Sequence, residues 1–312
     1  MLKAFKGRDV LSIKELDRQQ IELIFRVTKK LEPIAIGRSQ RQILKNSILS
    51  TLFFQASTRT RLSFESAMHR LGGAVLGFAN AGVSRAGDVY GETIDDTARM
   101  IQFYADAVAM RHPAVGLPRK LAESCNVPVI NAGDGYGESA EHPTQALLDL
   151  FTIFKHRGKI DDTHVILWGD MNQRTMQSLA LGLAKFERVK ISAHCPDSLR
   201  FPPGTEEELR RSGVELNYVS FEKVAAKADV IYIIGPKKTR AELPTEPEFK
   251  LNRARLAQAK RSLMILHPLP RLDELAPDVD ATTYSKYFEQ PLHGVAVRMA
   301  LLTLVLGKAS SF

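Results

Sequence analysis

A run of five residues, Ser-Thr-Arg-Thr-Arg at Ser57–Arg61, brings three hydroxyls and two guanidiniums together. It follows the apolar run 48–54 and opens a helical pattern that ends at Gly72 and Gly73. A strand that turns directly into a helix leaves the first helical N–H groups without intrahelical partners, at the positive end of the helix dipole. Together these donors can bind the separate oxygens of a phosphate dianion. From these residues alone, the alternative is an ordinary serine N-cap followed by surface arginines.

Polar and basic residues also follow other apolar runs of the chain. In an open sheet of parallel strands, the carboxyl ends of the strands share one edge, and ligands bind there. Taken alone, each residue has an ordinary explanation, such as a surface arginine or a histidine at a helix start. We expect them to act together because core structure requires none of them. They are Arg111-His112-Pro113, His142-Pro143-Thr144-Gln145, Gly169-Asp170 with Arg174, Gly235-Pro236-Lys237-Lys238 and His267-Pro268-Leu269-Pro270-Arg271.

The elements that must position these residues form two series. Apolar runs alternate with helical patterns, which predicts parallel strands joined by crossover helices, in an α/β fold with two Rossmann-like domains. The polar segment 158–163 fits a domain junction, so we predict domains at 1–158 and 159–312 with the active site in the cleft between them. The predicted strands are 48–54, 74–78, 107–110 and 127–130 in the first domain and 165–168, 190–194, 214–219, 229–234 and 263–266 in the second.

Helical patterns surround these strands. Apolar residues recur at helical spacing over 12–31, and this opening helix is predicted to end at Pro33. Further helices are predicted to begin near Thr93, Pro118 and Pro143. A last helix covers about 294–306, and the sequence leaves open whether it packs on the second domain or returns to the first.

Composition limits the classes of function. The net charge of +8 comes from scattered basic residues without aromatic interleaving, which favours small anionic substrates over nucleic acid. Only Cys125 and Cys195 are present, so neither a disulfide framework nor a metal cluster is indicated, and we expect no metal or cofactor. The first nine residues lack the apolar core of a signal peptide and no segment is apolar enough to span a membrane, which predicts a cytoplasmic protein. No G-x-G-x-x-G follows the run 165–168, which argues against a dinucleotide-dependent oxidoreductase.

Four of these motifs, in this order and at these spacings, resemble the aspartate and ornithine carbamoyltransferases. They are Ser57–Arg61, Arg111-His112-Pro113, His142-Pro143-Thr144-Gln145 and His267-Pro268-Leu269-Pro270. The runs 131–135, 147–150 and 268–274 resemble the aspartate branch more closely. The resemblance implies a two-domain enzyme that binds carbamoyl phosphate first and an amino acid second. It also implies a homotrimer with active sites between subunits, and leaves open a regulatory chain or another chain of the pathway.

Carried over by position, the resemblance implies a role for each motif. The residues implied to hold the phosphate are Ser57, Thr58, Arg59, Thr60 and Arg111. Those implied to donate to the carbonyl oxygen are Thr60, Arg111 and His142, which with Arg59 form the implied catalytic set. Those implied to hold the carbamoyl NH₂ are Gln145 and the backbone carbonyls of Pro268 and Leu269. Those implied to bind the acceptor are Arg174, Lys237, Arg240 and Leu269.

Three positions depart from the aspartate pattern. Gln55-Ala56 precedes Ser57 where the family has Glu-Pro. In the loop that a neighbouring subunit would contribute, Ser84 is kept, but Tyr90 stands where a lysine is expected, and Arg85 is a candidate to replace its charge. In the second domain Gly235 and Lys237 stand where an arginine and a glutamine are expected for the acceptor side chain.

These departures leave three functions open. The first is an aspartate carbamoyltransferase in which Lys237, Lys238 or Arg240 replaces the missing arginine. The second is a carbamoyltransferase with another amine acceptor, because lysine and arginine do not bind carboxylates in the same way. The third is a non-catalytic relative that keeps the fold and binds anions.

Overall fold

The computed structural model describes residues 5–39, 41–86, 91–236 and 247–309. The chain divides into two units. The first unit contains residues 1–136, 140–151 and 291–312, and the second contains 137–139 and 152–290. No helix within the described ranges is both long enough and apolar enough to cross a membrane.

Eight α-helices and nine β-strands are present in the described residues. The helices are α1 (Arg18–Ala35), α2 (Thr58–Arg70), α3 (Ile94–Ile101), α4 (Leu117–Glu123), α5 (Pro143–Arg157), α6 (Arg174–Leu183), α7 (Pro203–Arg211) and α8 (Gln290–Val305). The strands are β1 (Ile48–Phe53), β2 (Ala74–Phe78), β3 (Ala107–His112), β4 (Val129–Asp134), β5 (His164–Gly169), β6 (Lys190–His194), β7 (Glu215–Tyr218), β8 (Val230–Ile234) and β9 (Met264–Leu266).

The first unit contains a parallel sheet with the strand order β2-β1-β3-β4. Apolar residues of its strands, such as Leu52, Val108 and Val129, are buried against Ile101 of α3 and Leu121 of α4. The strand order reverses beside β1, since β2 lies on one side of β1 and β3 on the other. Open parallel sheets bind ligands outside the carboxyl ends of strands at such a reversal.

The second unit contains a parallel sheet with the order β7-β6-β5-β8-β9. Its core includes Trp168 of β5, packed on Phe221 and donating its indole N–H to the carbonyl of Phe249 at 2.9 Å. Here the strand order reverses at β5, between β6 and β8. Each unit therefore presents one reversal point where a ligand edge is expected.

The predicted α/β fold with two parallel sheets is confirmed, and each predicted strand is present. The predicted end of the opening helix is wrong, because α1 continues through Pro33 to Ala35. Proline costs the helix one hydrogen bond there, but Ile34 and Ala35 are buried, and the carbonyl of Pro33 accepts from Arg38 N–H at 2.8 Å. The start is also later than predicted, because Asp17 and Gln20 form a capping box.

Candidate active site

The turn from β1 into α2 carries the Ser-Thr-Arg-Thr segment. Ser57 is the N-cap residue of α2, with φ −158° and ψ 107°, yet its side chain makes no capping hydrogen bond. Thr58 and Arg59 are exposed, whereas Thr60 is buried. Because the first N–H groups of a helix have no intrahelical acceptor, the start of α2 has the properties of an anion site. The structure therefore does not support the alternative in which the Ser57 side chain only caps the helix.

Arg111 lies beside this turn. It is in register with Phe53 of β1, and its carbonyl accepts from Phe54 N–H at 2.9 Å. Its guanidinium donates from Nε to Oε1 of Gln55 at 3.3 Å and from one terminal nitrogen to the carbonyl of Ala132 at 3.4 Å. Gln55 is a neutral acceptor, so this contact orients the guanidinium without neutralising it. Arg111 is thus placed at the ends of three adjacent strands.

A short bridge returns the chain to the end of β4 before α5 begins. Asp134 N–H donates to the carbonyl of Glu141 at 2.9 Å, and Glu141 N–H donates back at 3.2 Å. The Asp134 carboxylate is buried and accepts from Gly116 N–H at 2.6 Å and from Asn131 Nδ2 at 2.9 Å. His142 follows this bridge and is only 3% exposed. The bridge therefore places His142 at the same edge of the sheet as Arg111.

Gln145 lies on the first turn of α5, and its orientation is defined by a contact further along the helix. Its Nε2 donates to Oδ1 of Asp149 at 2.9 Å. Both side chains are buried, as is Thr144. In the first unit, the candidates for carbamoyl phosphate binding outside α2 and its cap therefore come from the end of β3, the bridge after β4 and the start of α5.

In the second unit, Arg174 is the first residue of α6, just after β5. Gly169 at the end of β5 has φ +111°, and a Cβ there would lie 1.9 Å from the carbonyl oxygen of Ile234, so no side chain fits. Asp170 is buried and accepts from Asn172 N–H at 2.9 Å and Gln173 Nε2 at 3.2 Å. These contacts fix the turn that places Arg174 at the reversal point of the second sheet.

The segment after β9 is held by a histidine and a glutamate. Leu269 has φ +54°, a strained value for a leucine, and its N–H donates to Nδ1 of His267 at 2.8 Å. Because Nδ1 accepts, the ring proton is on Nε2, which lies 2.7 Å from Oε1 of Glu274. Burial raises the pKa of Glu274, but hydrogen bonds from His267 and Leu272 outweigh it, and the pKa lies below its ordinary value. No role for Glu274 was predicted from the sequence.

The remaining predicted residues fall in loops. Ser84 follows a short 3₁₀ turn, and its hydroxyl donates to the carbonyl of Ala81 at 3.0 Å, while Arg85 is exposed. Both lie between β2 and α3. The other predicted residues, Tyr90, Lys237, Lys238 and Arg240, lie outside the described residues. Within the described ranges, no group of three or more His, Cys, Asp or Glu side chains is placed to hold a metal ion.

Comparison with family models shows which family the chain belongs to. A model of the carbamoyl-P binding domain of aspartate/ornithine carbamoyltransferases matches residues 8–155, and a model of the Asp/Orn binding domain matches residues 161–305. The chain belongs to the aspartate/ornithine carbamoyltransferase family. The predicted resemblance is confirmed, and the chain is a carbamoyltransferase.

Individual relatives match over nearly the whole chain. The aspartate carbamoyltransferase catalytic subunit of Thermococcus kodakarensis is 44% identical, over 97% of this chain and 98% of its own. The solved catalytic subunit of M. jannaschii aspartate transcarbamoylase is 36% identical, with a TM-score of 0.84 over 95% of this chain and 97% of its own. The aspartate transcarbamoylase of Trypanosoma cruzi, solved in complex with carbamoyl aspartate and phosphate, is 32% identical, with a TM-score of 0.88 over 98% of both chains.

Proposed function

We propose that this carbamoyltransferase moves the carbamoyl group of carbamoyl phosphate to the amino group of L-aspartate, giving N-carbamoyl-L-aspartate and phosphate for pyrimidine biosynthesis. The observation that carries the proposal is the position of Arg111 beside the uncapped start of α2, where the sheet of the first unit reverses. The Trypanosoma cruzi relative, solved with carbamoyl aspartate and phosphate, supports aspartate as the acceptor.

The reaction explains why positive donors are needed at this edge. The aspartate nitrogen attacks the carbonyl carbon, negative charge grows on the carbonyl oxygen, and the bond to the phosphate oxygen breaks. The amine proton leaves with the phosphate, so no dedicated side-chain base is required. Donors fixed in advance near both oxygens stabilise the transition state more than the ground state.

The roles follow from these positions. In our proposal the phosphate is held by the start of α2 and by Arg111. The carbonyl oxygen takes its hydrogen bonds from Thr60, Arg111 and His142. The residues proposed to hold the phosphate are Ser57, Thr58, Arg59, Thr60 and Arg111.

The carbamoyl NH₂ and the acceptor need groups of a different kind. We propose that Gln145 and the backbone carbonyls of Pro268 and Leu269 accept from the NH₂. Arg174 would bind one carboxylate of aspartate, since a guanidinium matches a carboxylate with two parallel hydrogen bonds. Lys237 and Arg240 are proposed for the second carboxylate.

We further propose that the first unit binds carbamoyl phosphate and the second binds the amino acid, in a homotrimer. Ser84, Arg85 and Tyr90 would then complete the active site of a neighbouring subunit. A cytoplasmic location is consistent with the two free cysteines, Cys125 and Cys195, since reducing compartments keep thiols unpaired.

In a second candidate function, the protein binds carbamoyl phosphate in the same way but transfers the carbamoyl group to an amine other than aspartate. It is favoured by Gly235, which stands where an arginine is expected and is packed so that a Cβ would lie 2.8 Å from Oε2 of Glu274. In this alternative the amine keeps one carboxylate for Arg174 and differs from aspartate at its other end.

The test is a direct assay with purified protein, carbamoyl phosphate and a panel of aspartate, asparagine, glutamate and ornithine. Ureido product and released phosphate are measured together. We expect equal amounts of both, with kcat/KM for aspartate more than about tenfold above the other amines. A preference for another amine would support the second candidate, and product with none of them would contradict both.

A further inference from the structure

The Gln145 amide is held in one orientation. Its Nε2 donates to Oδ1 of Asp149 at 2.9 Å, one helical turn further along α5. A carboxylate offers only acceptors, so the amide nitrogen must face Asp149 and the amide oxygen must face away from it. An amide turned the other way would set two oxygens against each other. The contact therefore fixes which half of the Gln145 amide remains for a ligand.

Asp149 also acts electrostatically on a buried positive charge, that of Arg298. Arg298 of α8 is only 3% exposed, and its guanidinium lies over the ring of Phe64 at 5.0 Å and donates to Oγ1 of Thr144 at 3.4 Å. Burial lowers the pKa of Arg298 to about 10, and the negative charge of Asp149 acts in the opposite direction. Arg298 is therefore charged at neutral pH. A buried guanidinium is tolerated only with such compensation.

The fold makes room for this arginine. A Cβ on Gly294, one turn earlier in α8, would lie 2.7 Å from a terminal nitrogen of Arg298. Glycine in a helix interior is unfavourable relative to alanine, so its presence beside Arg298 fits a requirement for space. Arg298 also contacts the two helices whose first residues are proposed to bind carbamoyl phosphate. These contacts are with Phe64 on α2 and Thr144 on α5. The two buried charges, Asp149 and Arg298, both belong to the first unit.

We propose that Asp149 and Arg298 are positioning residues that hold the Gln145 amide with its oxygen toward the carbamoyl NH₂, and thereby select donors with an NH₂ over donors with a methyl group. This inference rests on the proposed role of Gln145 in carbamoyl phosphate binding. A carbamoyl NH₂ donates to the amide oxygen, whereas a methyl group in its place leaves that buried acceptor unpaired. Sites that hydrogen-bond an N–H group reject the analogue without it by large factors.

A purely structural role for the pair is the competing explanation. In that case removal of the pair would weaken the packing of α5 on α8 and affect every ligand alike. A role in positioning Gln145 instead changes the ratio of two affinities. The two suitable probes are phosphonoacetamide, which has the NH₂, and phosphonoacetone, which has a methyl group in its place.

The variant combines Asp149→Asn with Arg298→Met. Asp149→Asn alone would leave a buried guanidinium without its carboxylate, whereas the double variant removes both charges and keeps similar volumes. The side-chain amide introduced by Asp149→Asn can also donate to Gln145, which frees the Gln145 amide to turn. The matched control combines Asp229→Asn with Arg157→Met, a pair in the second unit whose charged atoms are 3.0 Å apart.

Calorimetry on folded protein measures the two dissociation constants and that of inorganic phosphate. In the unmodified protein we expect phosphonoacetamide to bind more than about tenfold more tightly than phosphonoacetone. In the double variant this ratio should approach one, while phosphate affinity changes less than about twofold. The control pair should keep the full ratio.

Two results would overturn the proposal. One is an unmodified protein that binds both probes equally, which needs no variant to fold. The other is a folded double variant that keeps the full ratio. Formation of N-carbamoylaspartate is scored separately, so a protein that makes this product without the preference contradicts the positioning role and leaves the proposed function in place.

Discussion

At the scale of single residues, Arg111 is the side chain whose geometry says most about the chemistry. It is anchored by Gln55 and by the carbonyl of Ala132, both of which accept from it without neutralising its charge. Those anchors hold a cation beside the start of α2. A donor fixed in this way is preorganised for charge that develops during the reaction.

Replacement of Arg111 by alanine should therefore reduce kcat/KM for carbamoyl transfer by about 10²–10³-fold, the range seen when one oxyanion donor is lost. Steady-state assays with saturating aspartate measure this effect. Arg211→Ala is the control, because its side chain is 75% exposed and pairs with Glu207 on the same helix. An Arg111→Ala enzyme as active as the control would remove Arg111 from the proposed mechanism.

Glu274 is a single residue whose titration makes the stability of the folded protein depend on pH. Its pKa in the folded protein lies below the ordinary 4.5, because hydrogen bonds from His267 and Leu272 outweigh the effect of burial. The charged carboxylate therefore stabilises the folded protein above about pH 4.5, and this contribution is lost as the pH falls through the lower folded-state value.

We expect Glu274→Gln to lower the free energy of unfolding at pH 7 by about 1–3 kcal/mol, and to flatten its decline toward acid. Urea unfolding at pH 7 and pH 4 tests this, with the exposed Glu207→Gln as control. An equal loss of stability for Glu274→Gln at both pH values would argue against the linkage.

Some of these residues could be predicted from the sequence and others could not. Ser57–Arg61 and Arg111 stand at the ends of apolar runs, where the topology of a parallel sheet points to ligands. Asp149 and Arg298 are far apart in sequence, and only the fold brings α5 and α8 together. Their one local signal is a charge inside an apolar helical run, which predicts a buried partner without saying which.

At the scale of elements, the close approach of β5 and β8 sets the turn before Arg174. The added Cβ on Gly169 would lie 1.9 Å from the Ile234 carbonyl, which is backbone of a central strand and cannot move aside. The turn geometry that presents Arg174 therefore depends on a glycine at the end of β5.

Gly169→Ala should accordingly lower the free energy of unfolding by more than about 3 kcal/mol, among the larger effects of single substitutions. The matched control is Gly213→Ala, at φ +80° with no atom within 4 Å of the added Cβ, where about 1 kcal/mol is expected from the backbone alone. Denaturant unfolding compares the two. Equal losses would show that the strands are not packed as closely as described.

The sequence predicted the presence of each strand, but it did not predict where α1 ends. Each strand was found because a β-rich apolar run bounded by turn residues has few other interpretations. Pro33 was expected to end α1, but burial of Ile34 and Ala35 sustains the last turn beyond it. That burial depends on packing partners that a local pattern does not contain.

At the scale of the whole molecule, each active site of the proposed trimer would be formed by residues from two chains. Arg111 would come from one subunit, and Ser84 and Arg85 from its neighbour. If so, two inactive variants can complement each other. We expect Arg111→Ala and the double variant Ser84→Ala/Arg85→Ala each to lose activity alone, and to regain part of it when unfolded together and refolded as mixed trimers.

Each variant refolded by itself is the control, and light scattering checks that the refolded species are trimers. If mixed trimers form but recover no activity, Arg111 of one subunit and Ser84 and Arg85 of its neighbour do not share an active site.

The most direct measurement is a crystal structure of the protein with N-(phosphonacetyl)-L-aspartate, whose phosphonate and aspartate ends stand for the two substrates. We predict phosphonate oxygens within hydrogen-bond distance of Ser57, Thr60 and Arg111, and one aspartate carboxylate paired with Arg174. A phosphonate bound away from the start of α2 and from Arg111 would contradict the account.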